Sequence, residues 1–217
     1  MHKLSKGEIT RQALIIDVRN ALNENGISLT YRELSSKLGV TIGRITNHFP
    51  TKDHLFVALS ENYEIQFNQL IKSLSVKAAP SLTQVFQSAL KVMDLQYEYR
   101  CIFMFIYSAS PNQHIILNQV STKWKNNLSI FTMMISGLVK AKILDKSILR
   151  KETYEIFRFQ HINLLTTWLI SFSIYDKTLP LTRCKKVYAK GVMMTFYPYL
   201  TKKGKTELVK LLKSKLR

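Results

Sequence analysis

Arg44, Asn47, His48 and Lys52 fall within nine residues, at the end of a stretch otherwise patterned for burial. Arg and Asn can make paired hydrogen bonds to the edges of guanine and adenine, while His and Lys suit phosphate oxygens. Catalytic chemistry finds less support. The chain has no Gly-rich phosphate loop, no GxSxG elbow and no HExxH, and His2, His48, His54, His114 and His161 are not spaced as metal ligands. Cys101 and Cys184 form no CxxC pair and no disulfide framework. No catalytic residue, metal or cofactor is expected, and the chain reads as a non-enzyme.

The elements around that cluster explain how it would be presented. Thr30 and Glu33 are spaced as a capping box that opens a helix over residues 31–38, and Thr41 repeats the cap for a helix over 42–49. Gly39 supplies the positive φ of a three-residue link, and Pro50 helps to stop the second helix. Leu34, Leu38, Val40 and Ile45 form a shared apolar centre, the pattern of a helix-turn-helix. Ile42, Arg44, Thr46, Asn47 and His48 then point outward, able to enter a DNA groove, with Thr30, Arg32 and Lys52 flanking them as phosphate contacts. Arg44 and Asn47 suit base edges or phosphate, Ile42 a thymine methyl, and Tyr31 either DNA or packing on the first helix.

The succession "LSSKLGVTIGRITNHF" followed by "TKDHLFVAL" resembles the TetR family of bacterial transcriptional regulators, over about residues 9–59. The resemblance implies that Thr41 takes the place of the family's capping Ser and Gly43 that of the Gly in helix three. It likewise implies His48 as a phosphate contact, Phe49 as a core aromatic and Lys52 as a basic residue beside DNA. Thr46 stands where the family usually has Tyr, and the loop after Gly26 is one residue shorter.

The rest of the chain reads as helix. A first helix over 8–25 precedes the motif; others are expected from residue 51 toward 76 and over 82–97, 99–108, 111–142, 151–176, 181–197 and 205–216. The fold class is therefore all-α, with an N-terminal three-helix DNA-binding domain over 1–52 and a helical bundle over 53–217, helix four bridging the two. By resemblance, the helices over 151–176 and 181–197 form a homodimer interface. Phe157, Leu164, Leu165, Trp168, Phe172, Val187, Gly191, Met194 and Tyr197 supply apolar surface for it, with intramolecular core as the alternative. Phe103, Met104, Tyr107, Trp124, Phe131, Met134, Phe159, His161 and Trp168 are candidates to line a small-molecule effector pocket or to fill the core.

Charge sets the remaining expectation. Residues 1–60 hold 8 basic and 5 acidic side chains, and residues 61–217 hold 24 and 9, so most of the +18 lies outside the motif. Basic segments at 182–190 and 201–217 suit polyanions or an anionic surface, or else form a solvated face. No apolar run reaches the roughly 18–20 residues of a membrane span and residues 1–10 carry no signal-peptide pattern, so a cytoplasmic location without membrane association is expected. The expected function is a dimeric repressor that binds a palindromic double-stranded DNA operator and is released by an effector. The alternative is a basic helical protein that binds DNA without sequence preference, or a membrane surface, and has no effector control.

Overall fold

Leu14, Ile15, Val18, Ala21 and Leu22 recur at helical spacing and all are buried, fixing one face of α1 (Lys6–Asn25). The computed structural model describes residues 6–74, 80–108 and 128–213. After α1 come α2 (Tyr31–Leu38), α3 (Ile42–Thr46), α4 (Lys52–Leu74), α5 (Leu82–Glu98) and α6 (Arg100–Ser108). Residues 128–140 form α7, followed by α8 (Lys151–Ser171), α9 (Leu181–Met194) and α10 (Lys202–Lys213). Among the described residues the architecture is all-α, relieved by one isolated antiparallel bridge between Leu144 and Leu200.

The chain divides into two compact units, the first comprising residues 6–68 and 95–108 of the described chain, the second 69–74, 80–94 and 128–213. In the first, Val18, Leu22, Leu34, Ile45, Phe49, Leu55, Phe56 and Leu59 meet Ile102 and Phe105 in one core. Phe56 and Phe105 stack at 3.7 Å between ring centroids. Because the start of α4 is buried in this core, the expected break at residue 52 falls inside the first unit. Burial also pushes the Cys101 thiol up to about 12, which leaves it a neutral packing group.

The second unit builds its core from Leu82, Ile135, Leu138, Ile148, Phe157, Met193, Phe196, Leu208 and Leu211. The turn after α7 places Lys142 in the left-handed region (φ 58°), with Ile143 N–H donating to Leu138 O and Lys142 N–H to Val139 O. This Schellman pairing satisfies carbonyls that the helix end leaves open. α10 starts three residues before the expected 205, because Thr201 Oγ1 accepts from Gly204 N–H at 3.2 Å and so caps the helix. Gly204 then lies against the turn, where a Cβ would meet the Ile143 carbonyl oxygen at 2.3 Å. The apolar side of α10, Leu208 and Leu211, is buried in this core.

Other helix ends also differ from expectation. α3 stops at Thr46 rather than residue 49, because His48 N–H turns to Ile45 O and tightens the chain before Pro50. α8 ends at Ser171 and passes into a π turn, Phe172–Asp176, while α9 ends at Met194. Of the helix expected over 111–142, residues 111–127 lie outside the described residues.

Candidate nucleic-acid interface

The helix-turn-helix is held by local hydrogen bonds. Thr30 Oγ1 accepts from Glu33 N–H (3.3 Å) and Glu33 Oε2 accepts from Thr30 N–H (2.7 Å), closing a capping box. Those bonds hold the Glu33 carboxyl below its usual range. Gly39 sits at φ 63° and its N–H donates to Ser35 O, so α2 ends where the chain must turn. Thr41 Oγ1 accepts from Arg44 N–H at 3.2 Å to open α3. Ile45, fully buried, anchors the inner face of this five-residue helix.

On the outer face, Ile42, Gly43, Arg44 and Asn47 are exposed, with His48 half-buried beside the Phe49 ring. Ile42 retains 42% of its surface, a large apolar side chain held outward by a helix whose register Ile45 fixes. A Cβ built on Gly43 would meet nothing within 4 Å. Arg32 is exposed on α2 and Lys52 is half-buried at the start of α4. Burial lowers the Lys52 ammonium from its usual range while the nearby Glu33 carboxylate opposes that shift.

The hydroxyls of three expected contacts take part in internal hydrogen bonds. Tyr31 Oη donates to Phe49 O at 2.8 Å, tying the start of α2 to the end of α3, and burial first, then the charge of Asp53, pushes its phenol up to about 12. Thr30 Oγ1 donates to Glu33 Oε2 at 2.8 Å, and Thr46 Oγ1 to Gly43 O at 3.3 Å. Each hydroxyl hydrogen is thereby engaged, so none is a ready donor to phosphate. Thr41 keeps its hydroxyl hydrogen, because there the oxygen acts as acceptor.

The described pocket candidates are divided between the two units. Phe103 and Tyr107 belong to the first unit, where Phe103 packs edge-on against Tyr63 and Tyr107 is 40% exposed. Trp124 lies outside the described residues. In the second unit Phe131 and His161 sit among Phe157 and Phe196, Met134 packs on the same core and Trp168 lies beside Phe172 and Tyr188. His161 is buried and shares a 2.8 Å hydrogen bond with Thr195 Oγ1, and burial pushes its imidazole down to about 3. It is a satisfied neutral core residue.

The expected interface residues also separate. Phe157 and Trp168 are buried within their own unit, so their surface serves the intramolecular core. Leu165 and Phe172 are half-buried, and Leu164, Val187, Gly191, Met194 and Tyr197 are exposed. Positions 187, 191 and 194 follow i, i+4, i+7 spacing and place an apolar stripe on one side of α9. Ile156 and Phe159 of α8, at 57% and 69% exposure, were not on the expected interface list; their charged and polar neighbours in sequence concealed them.

No protein-family model and no curated protein matches the sequence. Solved structures do match. A TetR-family transcriptional regulator from Marinobacter aquaeolei VT8 superposes with a TM-score of 0.72 at 18% identity, covering 95% of this chain and 98% of its own. The chain has the TetR-family fold. SmeT in its complex with triclosan shares that fold at a TM-score of 0.65 and 14% identity, over 89% of this chain and 93% of its own. A γ-butyrolactone receptor described as ArpA-like follows at 0.53 and 18% identity, over 88% and 99%. The TetR fold accommodates both local departures seen in the sequence: Thr46 turns onto its own helix, and Gly26 closes the shorter loop at φ 94°.

Proposed function

We propose that this protein is a DNA-binding transcriptional regulator of the TetR type. The observation that carries the reading is the outer face of α3. Ile42, Gly43, Arg44 and Asn47 stand exposed on a helix that caps at both ends of the turn hold rigidly, in a register suited to the major groove. Arg44 and Asn47 act as base readers or phosphate contacts, Ile42 as an apolar contact, and Thr41, His48, Arg32 and Lys52 as backbone contacts. One five-residue helix makes few contacts, so specific binding requires two copies on a palindrome. The exposed apolar positions of α8 and α9 support a twofold dimer that presents them.

The regulator acts as a repressor released by a small molecule. Support comes from the fold, which in SmeT is seen in complex with triclosan, and from the ordinary size of allosteric couplings, about 1–3 kcal/mol. The competing reading, a basic protein that coats DNA or a membrane surface, draws less support from α10, whose Leu208 and Leu211 are buried in the core of its own unit. A cytoplasmic, non-enzymatic role follows from the regulator reading.

Selection of duplexes from a random pool, then titration of the best at two salt concentrations, tests the proposal. Enrichment of one palindrome, with Arg44→Ala weakening it by about tenfold or more, is expected, since a paired base contact contributes about 1–3 kcal/mol. Binding that fades with salt and enriches no sequence would replace the regulator with a general polycation.

A further inference from the structure

The twelve residues of α10 hold five lysines and a single acidic residue, Glu207, and the two kinds of charge face different ways. Glu207 Oε2 accepts from Leu82 N–H at 3.2 Å, which satisfies an open donor at the start of α5. Gly204, Leu208 and Leu211 are buried, and Lys203 Nζ donates to the Ala141 carbonyl at 3.0 Å. The remaining side of the helix presents Lys202, Lys205, Lys210 and Lys213, all exposed, with Thr206 and Val209 between them. Among the described residues no carboxylate pairs with any of these four lysines.

Folding does not call for this arrangement. α10 opens on Lys202 and Lys203 with no acid in its first turn, although a helix N-terminus favours negative side chains and disfavours positive ones. The lysines thus add to the positive end of the helix instead of offsetting it. The row also lacks what other partners need. Val209, at 48% exposure, is its one large apolar group, too little for a peptide helix to dock on or for a bilayer to take in. Lysine supplies every charge, as a point charge suited to single phosphate oxygens rather than the forked geometry with which arginine grips a carboxylate. From Lys202 to Lys213 the helix rises about 16 Å, the length of about five phosphate steps along one strand of a duplex.

We infer that the outer face of α10 is a second nucleic-acid surface, a sequence-independent seat for the phosphate backbone of duplex DNA. Its chemistry differs from that proposed for α3. Ammonium groups on flexible stems neutralise phosphates and release counterions, and they read no base. The second unit then holds duplex of any sequence through its own charge, whether or not the first unit reads a site.

A duplex of mixed sequence that lacks the selected palindrome, titrated by fluorescence anisotropy between about 50 and 200 mM salt, tests this. Each lysine–phosphate contact adds about 0.9 to the slope of log affinity against log salt. Lys202→Gln, Lys205→Gln, Lys210→Gln and Lys213→Gln together should therefore make the slope shallower by about 2 or more, and equally so on an Arg44→Ala background. A control removes as much charge elsewhere in the same unit. Lys91, Lys146, Lys151 and Lys177 are exposed, and their joint change to Gln should move the slope by less than about 1. If the quadruple α10 variant fails to fold, Lys210→Gln with Lys213→Gln should still move it by about 1.8. A folded quadruple variant whose slope changes no more than the control's would overturn the inference and leave the face merely solvated. So would an unchanged DNA slope with lost binding to phosphatidylglycerol vesicles, which would seat a membrane on α10 instead. Because the probe lacks the palindrome, failure of the α3 reading leaves this measurement standing.

Discussion

Gly43→Ala separates what α3 needs for folding from what it needs for DNA. Glycine inside a helix costs roughly 0.5–1 kcal/mol relative to alanine. At Gly43 nothing internal offsets that cost: its φ is not left-handed, and a Cβ there meets no atom within 4 Å. Alanine should therefore stabilise the protein by about 0.5–1 kcal/mol, raising Tm by roughly 1–4 °C for a chain of this size. If the glycine is kept so that the α3 backbone can approach DNA closely, the added methyl holds the helix away and loosens the neighbouring Arg44 and Asn47 contacts. Affinity for the selected duplex should then fall by about tenfold, equivalent to about 1.4 kcal/mol. Thermal melts and anisotropy titrations at one salt concentration read the two effects. A variant that is more stable and binds equally well would refute the close-approach argument, and a less stable one would refute the open space around Gly43.

Three further substitutions probe the framework. Tyr31→Phe removes the hydrogen bond to Phe49 O and should cost about 0.5–1.5 kcal/mol in chemical denaturation, with DNA affinity unchanged at a temperature where both proteins are folded. Lys142→Gly relieves a left-handed residue at φ 58° and should stabilise by roughly 1 kcal/mol, read as a higher denaturation midpoint at constant slope. His161 titrates near 3 when folded, against its ordinary 6.5, so below about pH 6.5 the unfolded chain binds a proton that the folded one refuses. Its contribution is therefore fully present above that pH and is lost as pH falls toward 3, at a limiting slope of about 1.4 kcal/mol per unit; denaturation of His161→Gln across pH 4–7 should show a shallower slope than the natural protein.

The helix-turn-helix was legible because its determinants are local. The Thr30–Glu33 box, the left-handed Gly39 and the Thr41 cap each act within four residues, and all three form as their spacing demands. Hydroxyl roles were less legible, because Thr30, Tyr31 and Thr46 look alike as donors until their internal acceptors are known. For Tyr31 the acceptor is eighteen residues away. In the bundle, large apolar residues at helical spacing marked the helices but not their outward faces. Phe157 is buried and Phe159 exposed two positions later, a distinction set by which side of α8 meets α7 and α9. The hydrogen bonds of Asn23 and Arg19 to Glu98 carried no signal, since that partner lies more than seventy positions away.

The charge distribution fits this division. On the proposed reading the first unit would read sequence through a few placed side chains, and so would need little net charge. The lysines of α10 have a different surrounding: Leu208 and Leu211 bury one side of the helix, while Lys202, Lys205, Lys210 and Lys213 are exposed on the rest. Lys203 is held by the Ala141 carbonyl at 3.0 Å, and Lys190 by that of Leu212 at 2.8 Å, where helix ends present open acceptors. Part of the excess is thus helix capping rather than ligand binding. The rest adds a long-range attraction to any polyanion, which raises encounter rates without choosing a sequence. If the protein binds a chosen DNA sequence, as proposed, specificity has to come from α3, because a field that falls off over about 10 Å at 0.1 M salt cannot distinguish one base pair from the next.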